Sequence, residues 1–314
     1  MPHGSAYSRS AKEDRRLTEL ATSTTLARPK LRRVEVVANL AAGSVGPGAP
    51  AELAAIFAEH GIDARVRAPD PESLEAALRS AIDAAPDLLV VLAGDGTARA
   101  AAELAGPNGP TLAPLAGGTM NMLPHAIYGA RPWQAALADI LADSETRTLG
   151  GGEVDGRRFL VAAILGSPAL WAPAREAARR RNLALAWQRA RRAINRAFTG
   201  RLRYTLDGGG REKAEALILM CPIASAAVDS ETAALEAAAV DVYGVGEALR
   251  LGMAALGHKW RSDPSVDHRT CQVARVWSAR EIPALLDGES VRLHDVAEAR
   301  YVPDVCRVLV PRSS

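Results

Sequence analysis

No apolar run in this sequence approaches the roughly 20 residues that a membrane-spanning helix needs, so any contact with a membrane is expected at its surface. Cysteine is scarce: Cys221, Cys271 and Cys306 lie far apart and form no C-x-x-C pair. An odd, scattered set fits a reducing cytosol better than a disulfide framework or a zinc site, and all three read as buried, inert thiols. The six histidines show no metal-ligand spacing, and no protein metal site is read from the sequence. The formal charge of +2 is too small to imply a nucleic-acid partner, and none is expected. There is no internal repeat, and no low-complexity segment beyond general alanine richness. Residues 1–30 contain Arg9, Lys12, Arg15, Arg16, Arg28 and Lys30 but no apolar h-region, which excludes a secretory signal. They read as a mobile basic tail with a short helix at Asp14–Ala21, and the protein is expected in the cytoplasm.

What is present is an ordinary globular balance, 48% apolar and 24% charged, which argues against wholesale disorder. At 314 residues the chain exceeds what one hydrophobic core usually serves, so two domains are expected. The first, 31–143, alternates strands and helices. Val34–Ala38 reads as a strand; a helix follows, with Pro50 in its first turn and Gly61 at its end. Asp63–Arg67 is a short strand, and Asp70-Pro71 opens a helix that places Leu74, Leu78 and Ile82 four residues apart. Leu88–Leu92 is a continuous apolar strand of the kind parallel sheets bury on both faces, followed by a helix to Leu104. Thr111–Leu115 is the next strand. This order predicts a parallel α/β sheet with right-handed crossovers.

The pattern changes near Asp143. Val154-Asp155-Gly156-Arg157 reads as a hairpin turn with Phe159–Leu165 as its return strand. Leu202–Leu206, Ala216–Met220, Gln272–Trp277 and Glu281–Leu286 are further strands, with helices near Leu183–Phe198 and Gly246–Leu256. Residues 144–301 therefore read as a β-rich, mainly antiparallel domain, and the last strand, Val305–Val310, can fold back to either domain, with 302–314 able to complete the first.

Two glycine turns carry the chemistry. Gly94-Asp95-Gly96-Thr97 stands between a buried strand and a helix, where glycines let the backbone approach a ligand and free N–H groups attract anions. Asp95 there is either an ordinary N-cap or a group that orients a magnesium-nucleotide. Gly117-Gly118-Thr119-Met120-Asn121 also follows a strand. With Asn39 and Gly43 after the first strand, three loops converge on one sheet edge, the place where ligands of open α/β sheets gather.

Asn39-x-x-x-Gly43, Ala93-Gly94-Asp95-Gly96-Thr97 and Gly118-Thr119-x-Asn121 resemble the N-P-x-x-G, G-G-D-G-T and G-T-x-N motifs of the diacylglycerol kinase catalytic family. Leu286-Asp287-Gly288-Glu289 resembles its D-G-E motif, and Val308-Leu309-Val310-Pro311 its closing strand. The matches run in family order from Val34 to Pro311. The resemblance implies an NAD kinase/diacylglycerol kinase-like α/β domain, a β-rich domain, and ATP with Mg²⁺ in the cleft between them. It implies that Gly94–Thr97 and Gly118–Asn121 hold the nucleotide, with Asn39 and Gly43 nearby. Asp287 would be the catalytic carboxylate and Glu289 its neighbour. A positioned carboxylate suits that chemistry, since an alcohol is a poor nucleophile until its proton is taken. Without the other motifs, Asp287-Gly288 reads as a plain hairpin turn.

The chain departs from the family at several places. Ala93 replaces a glycine, Ala100 and Met122 stand where acidic residues are common, and Gly166-Ser167-Pro168-Ala169 lacks the carboxylate of a G-F-D-A-like segment. The glycine-rich loop near Cys221–Ala226 is also absent. These departures bear on lipid head-group contacts more than on the nucleotide site. Between 179 and 203, a stripe of Leu183, Trp187, Ala190, Ile194 and Phe198 faces away from Arg189, Arg192 and Arg196. Such a helix either packs on the core with a solvated arginine face, or docks peripherally on an anionic membrane. The expected activity is phosphorylation of a lipid hydroxyl, on diacylglycerol first and on ceramide or a sphingoid base next. Two alternatives stay open: phosphotransfer to a soluble acceptor such as NAD, and a catalytically silent nucleotide- or lipid-binding protein.

Overall fold

The computed structural model describes residues 31–166, 169, 201–225, 233–241 and 266–312. The first unit builds on β1 (Val34–Ala38), β2 (Ala64–Arg67), β3 (Leu88–Ala93) and β4 (Thr111–Ala116). Every residue of β1 and β3 is buried, as their unbroken apolar runs require of strands covered on both faces. Between and after them run α1 (Ala49–Glu59), α2 (Leu74–Asp83), α3 (Asp95–Ala105), α4 (Met122–Tyr128) and α5 (Trp133–Ala142). On one face, Leu53 and Phe57 of α1 and Leu137 and Ile140 of α5 close over Val36, Val90 and Leu115. On the other, Leu78 of α2 and Ala98, Ala101 and Ala102 of α3 close over Val37, Leu89 and Val91. The one charged residue inside β1, Glu35, meets Arg67 at 2.9 Å and so is not buried unpaired.

The chain then enters β5 (Ser144–Val154), turns at Asp155-Gly156 into β6 (Arg157–Phe159), and continues as β7 (Ala162–Gly166), β8 (Leu202–Leu206), β9 (Glu212–Ala214) and β10 (Ala216–Met220). After these come β11 (Leu235–Val240), β12 (Val266–Cys271), β13 (Val273–Trp277), β14 (Ile282–Leu286), β15 (Glu289–Leu293) and β16 (Val296–Pro311). Among the described residues they form two sheets. The ten-stranded one has the order β2-β1-β3-β4-β16-β13-β8-β9, with β5 paired to β16 and β6 to β5. The six-stranded one is antiparallel, with the order β12-β11-β10-β7-β14-β15. Leu217, Leu219, Leu286, Val276 and Tyr204 belong to the core that joins the two sheets. The parallel α/β unit and the β-rich antiparallel unit are those expected from the sequence.

The details differ in places. The return strand read at Phe159–Leu165 is two strands, because the chain leaves the first sheet after Phe159 and enters the second at Ala162. The backbone N–H groups released at that crossing find a partner described below. The closing strand is much longer than Val305–Val310: β16 starts at Val296, pairs antiparallel with β13 and β5, and reaches β4 in parallel at Val308 opposite Leu112. Strand β11, with the helix-forming sequence LEAAAV, was not expected as a strand; it is one because every residue of it is buried. The helices read at Leu183–Phe198 and Gly246–Leu256, the tail 1–30 and most of the basic stretch 179–203 lie outside the described residues.

Candidate active site

Three loops meet at the carboxyl edge of β1, β3 and β4. Asn39 donates its backbone N–H to Leu92 O at 2.9 Å, and its Oδ1 accepts the Ala41 N–H at 3.0 Å, which turns the chain out of β1. Ser44 then ties this loop to the third: its N–H bonds Gly117 O at 3.0 Å and its hydroxyl bonds Gly118 O at 2.9 Å. A Cβ on Gly43 would stand 3.2 Å from Thr119 Oγ1, so these two residues face each other. A Cβ on Gly118 would stand 2.5 Å from the Gly94 Cα, so the second and third loops touch backbone to backbone. Asn121, with a left-handed φ of 49°, holds that turn from within: its Oδ1 accepts Gly118 N–H at 2.7 Å and its Nδ2 donates to Gly118 O at 3.1 Å.

Asp95 is not the cap of its own helix. Gly94 occupies the N-cap of α3 without a side-chain bond, and the Asp95 carboxylate accepts the Leu123 N–H at 3.2 Å, at the start of α4. Burial raises its pKa, and the N–H groups of Leu123, Met122 and Asn121, with His125, work the other way. Asp95 thereby fastens the third loop to the second, while Gly96 and Thr97 stay partly exposed at the start of α3.

The hairpin between β14 and β15 completes the arrangement. Asp287 and Gly288 have φ values of 46° and 85°, the left-handed pair of a type I′ turn, as do Asp155-Gly156 and Asp207-Gly208. The turn itself is therefore ordinary here. What sets Asp287 apart is its burial and its partners: Oδ2 accepts Leu160 N–H at 2.7 Å, and Oδ1 accepts Val161 N–H at 2.9 Å and Ala162 N–H at 3.0 Å. These are the groups released where the chain crosses between sheets. A carboxylate offers about four acceptor positions, so one remains, on Oδ2. Burial pushes the Asp287 pKa up, and the three N–H bonds and Arg99 restrain the rise.

Glu289 reaches onto the Gly94–Thr97 loop. A Cβ on Gly96 would lie 2.5 Å from its Oε1, and its Oε2 takes Arg99 Nη2 at 2.6 Å. Burial works against the Arg99 charge, but Glu289, Asp287 and Glu103 outweigh it and raise the guanidinium pKa. Gly288 rests near Met122 Sδ and Met120 Cγ, at 3.6 and 3.7 Å from a built Cβ. Beside this contact a cleft of about 430 Å³ opens, lined by Arg99, Glu103, Arg157, Arg158, Leu286 and Glu289 among others.

The structure thus brings Gly43, Gly94, Asp95, Gly96, Thr97, Gly118, Thr119, Asn121, Asp287 and Glu289 into one neighbourhood. Asn39 lies at its margin, with its side-chain oxygen turned into its own loop. Sequence reasoning missed Ser44, Arg99, Met120 and Met122. Arg99 had a signal, four residues after Asp95 and so one helical turn along; Met122 stood out only as a departure from a common acidic residue, and Met120 had no signal. Among the described residues no group of three or more His, Cys, Asp or Glu can hold a metal ion, and no helix is long and apolar enough to cross a membrane.

Glycine loops on a parallel sheet edge, met by an aspartate hairpin from an antiparallel unit, define a two-part α/β and β architecture of the diacylglycerol kinase type. Residues 33–154 match the family model of the diacylglycerol kinase catalytic domain. The fold is also that of three structures from Bacillus anthracis str. Sterne. One, a diacylglycerol kinase, has a TM-score of 0.59 at 14% identity, covering 88% of this chain and 96% of that one. The other two, each described as a "putative diacylglycerol kinase", have TM-scores of 0.63 at 18% and 20% identity. They cover 89% and 90% of this chain, and 97% and 98% of their own. At such identities the likeness is one of fold. No curated protein matches the sequence.

Proposed function

We propose that the chain is an ATP-dependent lipid kinase that transfers the γ-phosphate to a hydroxyl of a membrane-derived lipid. The observation that carries this reading is the seat of the Asp287-Gly288-Glu289 turn on the glycine loops, with the Glu289 carboxylate against Gly96. Phosphoryl transfer needs little covalent work from a protein; it needs phosphates held and an alcohol placed beside a base. Gly94–Thr97 and Gly118–Asn121 are suited to the first task, because their lack of side chains and the start of α3 leave backbone N–H groups open to an anion. Asn39 and Gly43 border them.

Asp287 is suited to the second. Its remaining acceptor position on Oδ2 can take the acceptor proton, and a pKa raised by burial strengthens it as a base. The N–H groups of residues 160–162 fix its orientation. The half-exposed Glu289 beside Gly96 is a carboxylate that would hold the magnesium of a magnesium-nucleotide, an ion that commonly uses one or two carboxylates plus substrate phosphates. Bound there, it would neutralise phosphate charge. For that, Arg99 would have to release Glu289.

Diacylglycerol is the first acceptor to assay, with ceramide or a sphingoid base next, and the protein would meet them as a peripheral protein at the cytoplasmic membrane face. The test is transfer of labelled γ-phosphate from magnesium-ATP to extracted total lipid, with NAD offered in parallel. Label in a lipid, identified by mass spectrometry, supports the reading. Label in NADP instead, or no label in either pool, overturns it.

A further inference from the structure

The β5–β6 turn brings a second set of charges to the cleft. Its lining holds three arginines, Arg99, Arg157 and Arg158, and two glutamates, Glu103 and Glu289. Both glutamates are already engaged by Arg99, at 3.8 Å and 2.6 Å. Among the described residues Arg157 pairs with no carboxylate. Arg158 comes only within 3.9 Å of Glu153, whose other oxygen is held by Arg300 at 2.6 Å. Arg157 and Arg158 therefore line the cleft with little compensation from carboxylates. Leu286 and Val291 add an apolar side to it.

We propose that this cleft is an anion subsite that binds a phosphate ester carried by the acceptor next to its free hydroxyl. The assignment to the acceptor rests on the kinase reading above and narrows it, for a phosphorylated acceptor would displace diacylglycerol, ceramide and sphingoid bases as the substrate. Planar guanidinium forks recognise phosphate oxygens in pairs, whereas a neutral glyceride offers them nothing. The loops suited to the nucleotide, at Gly43, Gly94 and Gly118, stand on the parallel sheet, and Glu289 stands between Gly96 and this cleft. The charge of Arg157 and Arg158 thus reaches the cleft from the β5–β6 turn, an element that carries none of those loops. A volume of about 430 Å³ suits a head group and its first carbons, not two acyl chains. Two sources share this chemistry: a phospholipid head group, and a soluble phosphorylated polyol.

The test is direct binding, which needs no turnover. Glycerophosphoinositol and sn-glycerol 3-phosphate are titrated calorimetrically into the full chain, and phosphatidylinositol is offered in phosphatidylcholine vesicles. The wild type is compared with an Arg157→Ala/Arg158→Ala variant and with the corresponding double Lys variant. Both positions are on the outside of a hairpin, and an unchanged melting temperature shows that the fold is kept. The expected result is binding of at least one probe by the wild type, weakened about tenfold or more by the Ala pair and partly restored by the Lys pair. ATP affinity stays within about twofold. A vesicle preference over both soluble probes assigns the source to lipid, and the reverse to a soluble acceptor. The proposal is overturned by absence of binding for all three probes, by equal binding in the Ala pair, or by a loss that falls on ATP instead. Probe binding without phosphate transfer leaves the subsite standing as an anion site and removes the kinase reading alone.

Discussion

Glu289 joins Arg99 across 190 residues of sequence, at 2.6 Å, and so clasps the β14–β15 hairpin to the helix that starts at the glycine loop. With the two side chains 22% and 48% exposed, water screens the pair and its worth to stability is small. Arg99→Gln should lower unfolding stability by less than about 1 kcal/mol. Its effect should fall on turnover instead, by about tenfold or more, if it both releases Glu289 and steadies charge in the cleft. Urea unfolding and the phosphate-transfer assay, run on the same preparations, separate the two. A stability loss of several kcal/mol with intact turnover would make Arg99 a structural clamp only.

The pH dependence of stability tests the balance at Asp287. Its pKa lies above the ordinary 3.8, because burial disfavours the anion by more than its N–H partners and Arg99 recover. The folded protein then holds this proton more tightly than the unfolded chain does. Its contribution to stability is present below about pH 4 and is lost as pH rises through the folded-state pKa. Asp287→Asn cannot titrate, so the stability gap between wild type and variant should narrow as pH rises through that window. Urea unfolding across a pH series reads the gap. A gap that widens with pH would show that the N–H bonds, not burial, dominate.

The same variant bears on chemistry. Asn keeps one carbonyl oxygen for Val161 and Ala162 but turns an NH₂ toward the Leu160 N–H, leaving a buried donor unpaired at about 1–3 kcal/mol. Its turnover should fall by about a hundredfold or more, as loss of a general base does. ATP binding, measured by calorimetry, should change little. Retention of more than a few per cent of the wild-type rate would remove Asp287 as the base.

Gly118→Ala should be severe. The added Cβ meets the Gly94 Cα at 2.5 Å, and both partners are backbone, so one loop must move. Overpacking of this kind costs about 1–3 kcal/mol, and here it should also weaken ATP binding. Gly46→Ala is the control, with nothing within 4 Å of its Cβ. If both variants bind ATP as the wild type does, the two glycine loops are not the phosphate cradle.

How much of this was legible in the sequence depends on the range of the interaction. The apolar run Leu88–Leu92 leading to Gly94 revealed a buried strand and a loop at its end, because neighbours along the chain suffice for that. The Asp95 bond to Leu123 spans 28 residues and turned an apparent cap of its own helix into a cap of the next. The break between Phe159 and Ala162 was invisible, since each side of it is apolar and only the crossing of sheets divides them. The meeting of the Asp287 turn with the glycine loops was implied by the resemblance to a family, never by spacing, and the contact of Glu289 with Gly96 was not foreseen. Arg157 read as an ordinary turn residue, because nothing local marks the cleft that α3 and the β14–β15 hairpin form beside it.

Strand β16 has one more consequence. It supplies the neighbour that β4 needs, yet it is made after every other strand. On the ribosome, the edge of β4 therefore stays open until residue 311 has emerged, and the partly made protein carries an unpaired parallel edge for most of its synthesis. Nascent chains stopped short of Val296 should be conspicuous clients of chaperones.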